Sequence, residues 1–128
     1  QRVGLANKAD ADIFISIHNN STVSGKMSSI NGTAVMYDEL KEEIPCGTKT
    51  LAQICVDEVS GILGSRNRGI INGNEIYIIR NSEVPVALIE VGFMTNKTEL
   101  DNLTSDDYQR KAAQGIYNAI MRAFNEGF

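Results

Sequence analysis

Length, composition and charge are those of a small globular domain: 128 residues, 42% apolar side chains and a net charge of −4 from 12 basic and 16 acidic groups. This length predicts one domain with a single modest core. Acidic and basic residues are interspersed, so no basic stripe or polybasic arm favours nucleic acid or an anionic membrane as partner. No apolar stretch approaches the length of a transmembrane span.

The first third of the chain predicts a helix, a strand, a loop and a second strand. Residues 1–10 have apolar side chains at helical spacing, with no cap and no Met before them, so we expect a fragment that begins inside or at the edge of a helix. Residues 12–18, "DIFISIH", predict a strand buried on both faces. Residues 19–32 are a loop of Asn, Ser and Gly, and 32–38 predict the second strand.

The middle of the chain contains the clearest helix and the most apolar strand. Residues 48–64 carry one apolar stripe and end at Gly64, a natural C-terminal stop. The run "EIYIIR" at 75–80 predicts a third strand, and 84–93 contain the fourth. Pro85 can only stand at the beginning of that strand, because proline cannot donate into a sheet ladder.

Two helices are predicted at the C-terminus. Asn96, followed by Glu99, resembles a capping box that opens a short helix through Leu103, and Ser105 opens the last helix. The predicted order is α-β-β-α-β-β-α-α. Apolar strands separated by helices predict an α/β fold with a mixed, mostly parallel central sheet and helices on both faces, in one three-layer domain.

The two cysteines do not form a recognisable framework. Cys46 and Cys55 lack the Cys-x-x-Cys spacing of a zinc knuckle or redox pair. Cys55 falls on the apolar stripe of the predicted helix, and we interpret it as a small buried hydrophobe. Cysteine usage therefore indicates no cellular compartment.

The two residues that suggest chemistry are His18 and Glu90. His18, the only histidine, ends an apolar strand, and a lone histidine there is ordinarily bonded to a loop carbonyl. Glu90 interrupts the apolar run "VALIEVGF", where an unpartnered charge is costly to bury. A carboxylate in such a place is paired with a cation, bound to a metal or poised as a base.

Both residues fall at the C-terminal ends of predicted central strands, where ligand sites form in open α/β sheets. One histidine and one carboxylate there suggest a catalytic zinc site, with imidazole as ligand and carboxylate as general base. Such a zinc normally takes three protein ligands, and this chain offers one histidine and no cysteine pair. From these residues alone, a zinc site and a purely structural pair both stay open.

Blocks along nearly the whole chain resemble the zinc-dependent N-acetylmuramoyl-L-alanine amidases of the amidase-3 family. The blocks are "RVGLANKADADIFISIHNNS", "GTAVMY", "LAQIC", "RGI" and "YIIRNSEVPVALIEVGFMTNKTELDNL". Those bacterial hydrolases cut peptidoglycan between the lactyl group of muramic acid and the first L-alanine of the stem peptide. The resemblance implies Zn²⁺ as cofactor, peptidoglycan as partner and a secreted or cell-wall location.

By that resemblance, His18 matches a zinc ligand and Glu90 matches the catalytic glutamate, which takes a proton from water and delivers it to the departing alanine nitrogen. Asn20 matches a loop position beside the site, where it either touches substrate or shapes the turn. Arg80, just past the third predicted strand, either holds an acidic stem peptide or is a surface arginine at a strand end.

The resemblance also implies that the site is not complete within this sequence. The family's other two zinc ligands, a histidine and a glutamate, lie upstream of position 1, and no second histidine replaces the first. We therefore expect residues 1–128 to be an N-terminally incomplete amidase catalytic domain. The alternatives are a non-catalytic peptidoglycan-binding or regulatory module of the same fold, and a different zinc hydrolase such as a peptidase.

Overall fold

The computed structural model describes residues 1–41 and 47–127. The helices are α1 (Arg2–Lys8), α2 (Thr48–Leu63), α3 (Tyr77–Arg80), α4 (Lys97–Leu103) and α5 (Asp106–Asn125). The strands are β1 (Phe14–Asn20), β2 (Thr33–Tyr37), β3 (Asn67–Asn72) and β4 (Val86–Phe93). None of the described helices is long and apolar enough to cross a membrane.

The four strands form one mixed sheet in the order β1-β4-β2-β3. β4 pairs parallel with β1 and antiparallel with β2, and β2 pairs parallel with β3. The most apolar strand therefore lies inside the sheet, where its first four residues are buried. The prediction of a mixed, mostly parallel sheet is confirmed.

Helices cover both faces of the sheet, as the sequence predicts. The side chains of Val35, Ile89 and Val91 pack with α2 and α5 in the larger core cluster, and we call this side the α2–α5 face. On the other side, Ile79 of α3 packs with Val86 and Leu88, and we call this side the α3 face. Alternation along β4 places Glu90 on the α3 face with Val86 and Leu88.

Helix α2 is formed as its sequence pattern predicts. It ends at Gly64, whose φ of 63° gives the left-handed cap that favours glycine. Cys55 is a free, fully buried thiol, and burial raises its pKa to about 12. The interpretation of Cys55 as a small buried hydrophobe is confirmed, whereas Cys46 lies outside the described residues.

The predicted strand at 75–80 is wrong, and the third strand is β3. Residues 77–80 form helix α3, whose isoleucines pack against the sheet instead of joining it. β3 was missed because it is an edge strand with few apolar residues: of its six residues, only Ile70 and Ile71 are aliphatic. The observed element order is therefore α-β-β-α-β-α-β-α-α.

β1 was also expected to be a central strand buried on both faces, and this is wrong for the described sheet. β1 lies at its edge, and Ile17 is 61% exposed. A strand that is apolar at nearly every position is therefore not necessarily a central strand of the sheet.

Candidate active site

His18 and Glu90 are direct neighbours across the β1–β4 pairing. The register places His18 opposite Glu90, so both side chains leave the same face of adjacent strands, which lie about 4.8 Å apart. The structure thus brings together the two residues that the sequence singles out, on the α3 face near the carboxyl ends of two parallel strands.

Glu90 carries an unpaired carboxylate oxygen. Its Oε2 is buried and has no hydrogen-bond partner among the described residues. Burial raises the pKa of Glu90, and the charge of His18 opposes that rise. Buried polar atoms in folded proteins are almost always satisfied, so this oxygen indicates a place where water, substrate or a metal completes the bonding.

His18 is oriented from within its own strand. Its Nε2 lies 3.0 Å from the Oγ of Ser16, a buried residue two positions earlier on the same face. When Nε2 carries the proton, it donates a hydrogen bond to the Oγ of Ser16, and the lone pair of Nδ1 is free for a ligand. A hydrogen bond that fixes the tautomer and ring orientation is the usual support of a metal-binding histidine.

A β-bulge changes the face of the sheet on which the last side chains of β4 lie. The register moves from His18–Glu90 to Asn20–Phe93, so β4 contributes one residue more than β1 over this interval. Because directly opposed residues share a face, Phe93 returns to the face of Glu90. Nothing in the alternation of the sequence indicates this change.

Asn20 is the last residue of β1, not a loop residue as predicted. Its Oδ1 accepts a hydrogen bond from the N–H of Ser21 at 2.8 Å, and its carbonyl accepts one from Met94 at 2.8 Å. Both contacts shape the turn after the strand, which was one of the two roles considered. Contact with substrate stays a prediction.

Arg80 lies at the end of helix α3, not after a strand. Its Nη1 donates to the carbonyl of Asn74 at 3.4 Å. The neighbouring Ile79 packs on Val86 and Leu88 in the first half of β4, whereas Glu90 lies in the second half. No described contact joins Arg80 to His18 or Glu90.

The residue types fit a zinc site, but the number of ligands does not. An imidazole and a carboxylate with an unpaired oxygen are suitable donors. Within residues 1–41 and 47–127, however, no three His, Cys, Asp or Glu side chains are grouped as a metal would require. With Glu90 kept as the base, His18 is thus at most one ligand of a three-ligand centre.

Two cavities lie away from this pair. One, of about 330 Å³, is lined by residues that include Leu63, Arg66 and Tyr108, and the other, of about 240 Å³, by residues that include Ile17 and Val91. Both are on the α2–α5 side of the sheet. Neither cavity is lined by His18 or Glu90, so the candidate site is defined by this pair of side chains on the α3 face.

The sequence of residues 1–122 matches the family model described as N-acetylmuramoyl-L-alanine amidase. The chain belongs to this amidase family. It is 36% identical over 126 residues to the protein YqiI of Bacillus subtilis (strain 168), covering 98% of this chain and 58% of YqiI. It is equally similar, over the same length, to the germination-specific N-acetylmuramoyl-L-alanine amidase of that organism, of which it covers 50%.

A solved structure shows the same fold. The crystal structure of N-acetylmuramoyl-L-alanine amidase from Clostridium difficile 630 superposes with a TM-score of 0.88 at 30% identity, covering 99% of this chain and 65% of that one. This chain therefore spans between about half and two thirds of the length of these relatives. The fold of the described residues is that of the amidase family.

Proposed function

We propose that the protein is a peptidoglycan hydrolase that cleaves the amide bond between N-acetylmuramic acid and the L-alanine of the stem peptide, as a secreted, zinc-dependent autolysin of the cell wall. The observation that carries the proposal is a buried oxygen of Glu90, beside His18, that has no hydrogen-bond partner among the described residues of a chain of the amidase family. This carboxylate is the group that a hydrolase needs next to its attacking water.

Glu90 acts as the general base. Burial shifts the pKa of Glu90 upward, which makes the carboxylate a better proton acceptor near neutral pH. It takes a proton from the attacking water and gives it to the departing alanine nitrogen. Zinc, when bound, polarises the amide carbonyl and lowers the pKa of water. Ser16 holds the imidazole of His18 in the orientation for that metal.

The remaining zinc ligands come from outside these 128 residues, in a catalytic domain of which this chain is an N-terminally incomplete part. The support is the number of donors: the chain has a single histidine, and no three donors are grouped in its described residues. The test is elemental analysis of the 128-residue chain beside the same chain extended upstream with its native sequence.

About one zinc in the extended chain and none in the short chain is the expected result, and His18→Ala in the extended chain loses the metal. Zinc in neither chain would exclude the catalytic-zinc proposal. One zinc in the short chain would show that other side chains complete the ligand set.

Replacing Glu90 by Gln in the extended chain should reduce amide hydrolysis by roughly 10²–10⁴-fold, because the base is lost while the volume is kept. Release of stem peptide from purified peptidoglycan measures turnover, and zinc content should not change. The matched control is Glu83→Gln, an exposed carboxylate ahead of β4. Near-normal turnover of Glu90→Gln removes Glu90 from the role of base.

A second candidate is a non-catalytic peptidoglycan-binding module of the same fold. The observation that favours it is the absence of a three-donor group within the described ranges. Such a module sediments with peptidoglycan and releases no peptide even when it is extended upstream and supplied with zinc. A peptidase, by contrast, would release fragments cut within the stem peptide.

A further inference from the structure

The arginine best placed beside the candidate site is Arg68. In the β2–β3 register, Thr33 opposes Asn67, whose side chain donates to Asp57 of helix α2 at 3.2 Å. Asn67 therefore faces α2, and the next residue, Arg68, leaves the sheet on the α3 face. Gly69, with a φ of 78°, lies in the bulge that follows.

The side chain of Arg68 crosses the beginning of β2 toward the end of β4. Gly32 has a φ of 119°, and a Cβ built there would lie 2.6 Å from the carbonyl oxygen of Arg66 and 2.8 Å from the Cγ of Arg68, so glycine is required where the Arg68 side chain passes. The guanidinium then lies over the ring of Phe93, 5.5 Å from its centroid. Its Nη1 donates to the carbonyl of Asn31 at 3.2 Å.

These contacts orient a cation that has no acidic partner in the part of the chain that the structure describes. None of the ion pairs found within residues 1–41 and 47–127 involves Arg68, and its side chain is exposed. One hydrogen-bond donor of the guanidinium is used by Asn31, and among the described residues no other acceptor occupies the remaining donors. A stacked, planar guanidinium is suited to bind a carboxylate through two parallel hydrogen bonds.

The spacing relates Arg68 to the reaction centre. Phe93 pairs with Asn20, two residues beyond the pair of His18 and Glu90, which is roughly 7 Å along the strands. An extended peptide spans such a distance with about two residues. A peptide with its scissile amide at Glu90 therefore reaches the position of Phe93, over whose ring Arg68 lies, with the residue that follows L-alanine.

The chemistry of the substrate indicates on which side of the scissile amide Arg68 binds. The lactyl carboxyl of muramic acid is consumed in the scissile amide, and the rest of the sugar is neutral. Free carboxylates occur only on the peptide side. Resting on the proposed function, we infer that Arg68 binds the carboxylate of the residue after L-alanine, so that the protein selects acidic stem peptides over amidated ones.

The test compares two soluble N-acetylmuramoyl dipeptides that differ only in whether the carboxyl groups of the second residue are free or amidated. Their binding to the 128-residue chain is measured by titration calorimetry, independently of hydrolysis. The free acid should bind about tenfold more tightly, as expected for a charge-assisted hydrogen bond. Arg68→Met should abolish that preference, and Arg68→Lys, which keeps the charge without the planar fork, should retain part of it.

Two matched controls separate local from general charge effects. Arg66→Met removes an exposed arginine two residues away that lines the cavity on the α2–α5 side, and the preference should persist. Arg80→Met tests the arginine that the sequence suggested, and the preference should persist there too. Circular dichroism and thermal unfolding verify that each variant is folded. If Arg68→Met does not fold, Arg68→Lys is used as the test variant instead.

A preference that survives in Arg68→Met, or that is lost in Arg66→Met or Arg80→Met instead, overturns the inference. So does a wild-type chain that binds neither dipeptide. Failure of the proposed function is distinguishable, because it would abolish hydrolysis in the extended chain while leaving the Arg68-dependent preference in binding.

Discussion

At the scale of single residues, Glu90 is in conflict with the stability of the fold. Its carboxylate is partly buried, has an oxygen without a partner among the described residues, and is helped only by the charge of His18. Glu99, a buried carboxylate with a structural role, differs: its Oε1 accepts hydrogen bonds from the N–H groups of Gly32 and Phe93. Unsatisfied polar groups of this kind are typical of functional sites.

Glu90→Gln should therefore stabilise the chain at neutral pH, by about 1 kcal/mol, because it removes a buried charge that lacks a hydrogen bond. The direction in which stability changes with pH follows from the raised pKa of Glu90. The native state binds the proton more tightly than the unfolded state, where the pKa is near 4.5, so wild-type stability falls as pH rises through the native pKa.

Thermal unfolding across pH measures this difference. The advantage of Glu90→Gln should shrink as the pH is lowered below the native pKa of Glu90, since the wild-type side chain is then neutral as well. A variant that is less stable than wild type at neutral pH would show that the Glu90 carboxylate is satisfied in solution.

The sequence indicated His18 and Glu90 because each is a polar residue in an otherwise apolar strand. Arg68 lies in the family-like block "RGI", but its residue type indicated no chemistry, since it stands in the polar run "SRNRG", where an arginine is ordinary. Its position depends on two bulges, one in β3 and one in β4, that return Arg68 and Phe93 to the face of Glu90. Bulges change which face a residue occupies without changing the hydrophobic pattern.

At the scale of elements, helices α2 and α5 are held in close contact by a glycine. Gly115 of α5 is buried, and a Cβ there would lie 3.0 Å from the Cα of Val59 and 2.8 Å from the Cγ2 of Ile62. Gly61 of α2 is exposed, with no atom within 4 Å of its Cβ position. The two glycines therefore share a helical setting and differ in packing.

Gly115→Ala should destabilise the protein by about 1–3 kcal/mol, because the added methyl group pushes α5 away from α2. Gly61→Ala should stabilise it by roughly 0.5–1 kcal/mol, since alanine is the better helix former. Urea unfolding measures the free energy of unfolding of both variants. Equal effects of the two substitutions would contradict tight packing at Gly115.

The elements predicted correctly are those in which local pattern and tertiary burial agree. Helix α2 and strand β4 are both strongly patterned and buried in the core. The run "EIYIIR" is compatible with either a strand or a helix. Its residues 77–80 form helix α3, whose isoleucines pack on the apolar α3 face of the sheet. β3 is a strand because β2 offers it hydrogen bonds, whatever its own propensity.

At the scale of the whole molecule, Glu99 joins the C-terminal helices to the sheet. The sequence predicted it as the second half of a capping box with Asn96. Asn96 does accept from the N–H of Glu99 at 3.0 Å, but the Glu99 carboxylate does not return to Asn96. Its Oε1 accepts from Gly32 at 2.9 Å, before β2, and from Phe93 at 3.0 Å, in β4.

Glu99→Ala should cost about 2–4 kcal/mol, because it leaves two buried N–H groups without an acceptor. Glu99→Gln keeps an acceptor oxygen and should lose less. The control on the same helix is Asp101→Ala, which removes only an exposed ion pair with Lys97 and should cost under about 1 kcal/mol. Chemical denaturation gives the three values. A loss for Glu99→Ala no larger than for Asp101→Ala would contradict the bridging role.

The sequence by itself determined the α/β class, the helices at 48–63 and 106–125, the buried strand β4 and the two residues, His18 and Glu90, that meet across the sheet. These depend on local periodicity and on the cost of placing a charge in an apolar run, which are properties of neighbouring residues. Tertiary structure alone decided the strand order, the bulges, the bridging bonds of Glu99 and the place of Arg68. These depend on hydrogen bonds and packing between segments far apart in the chain, which no local pattern contains.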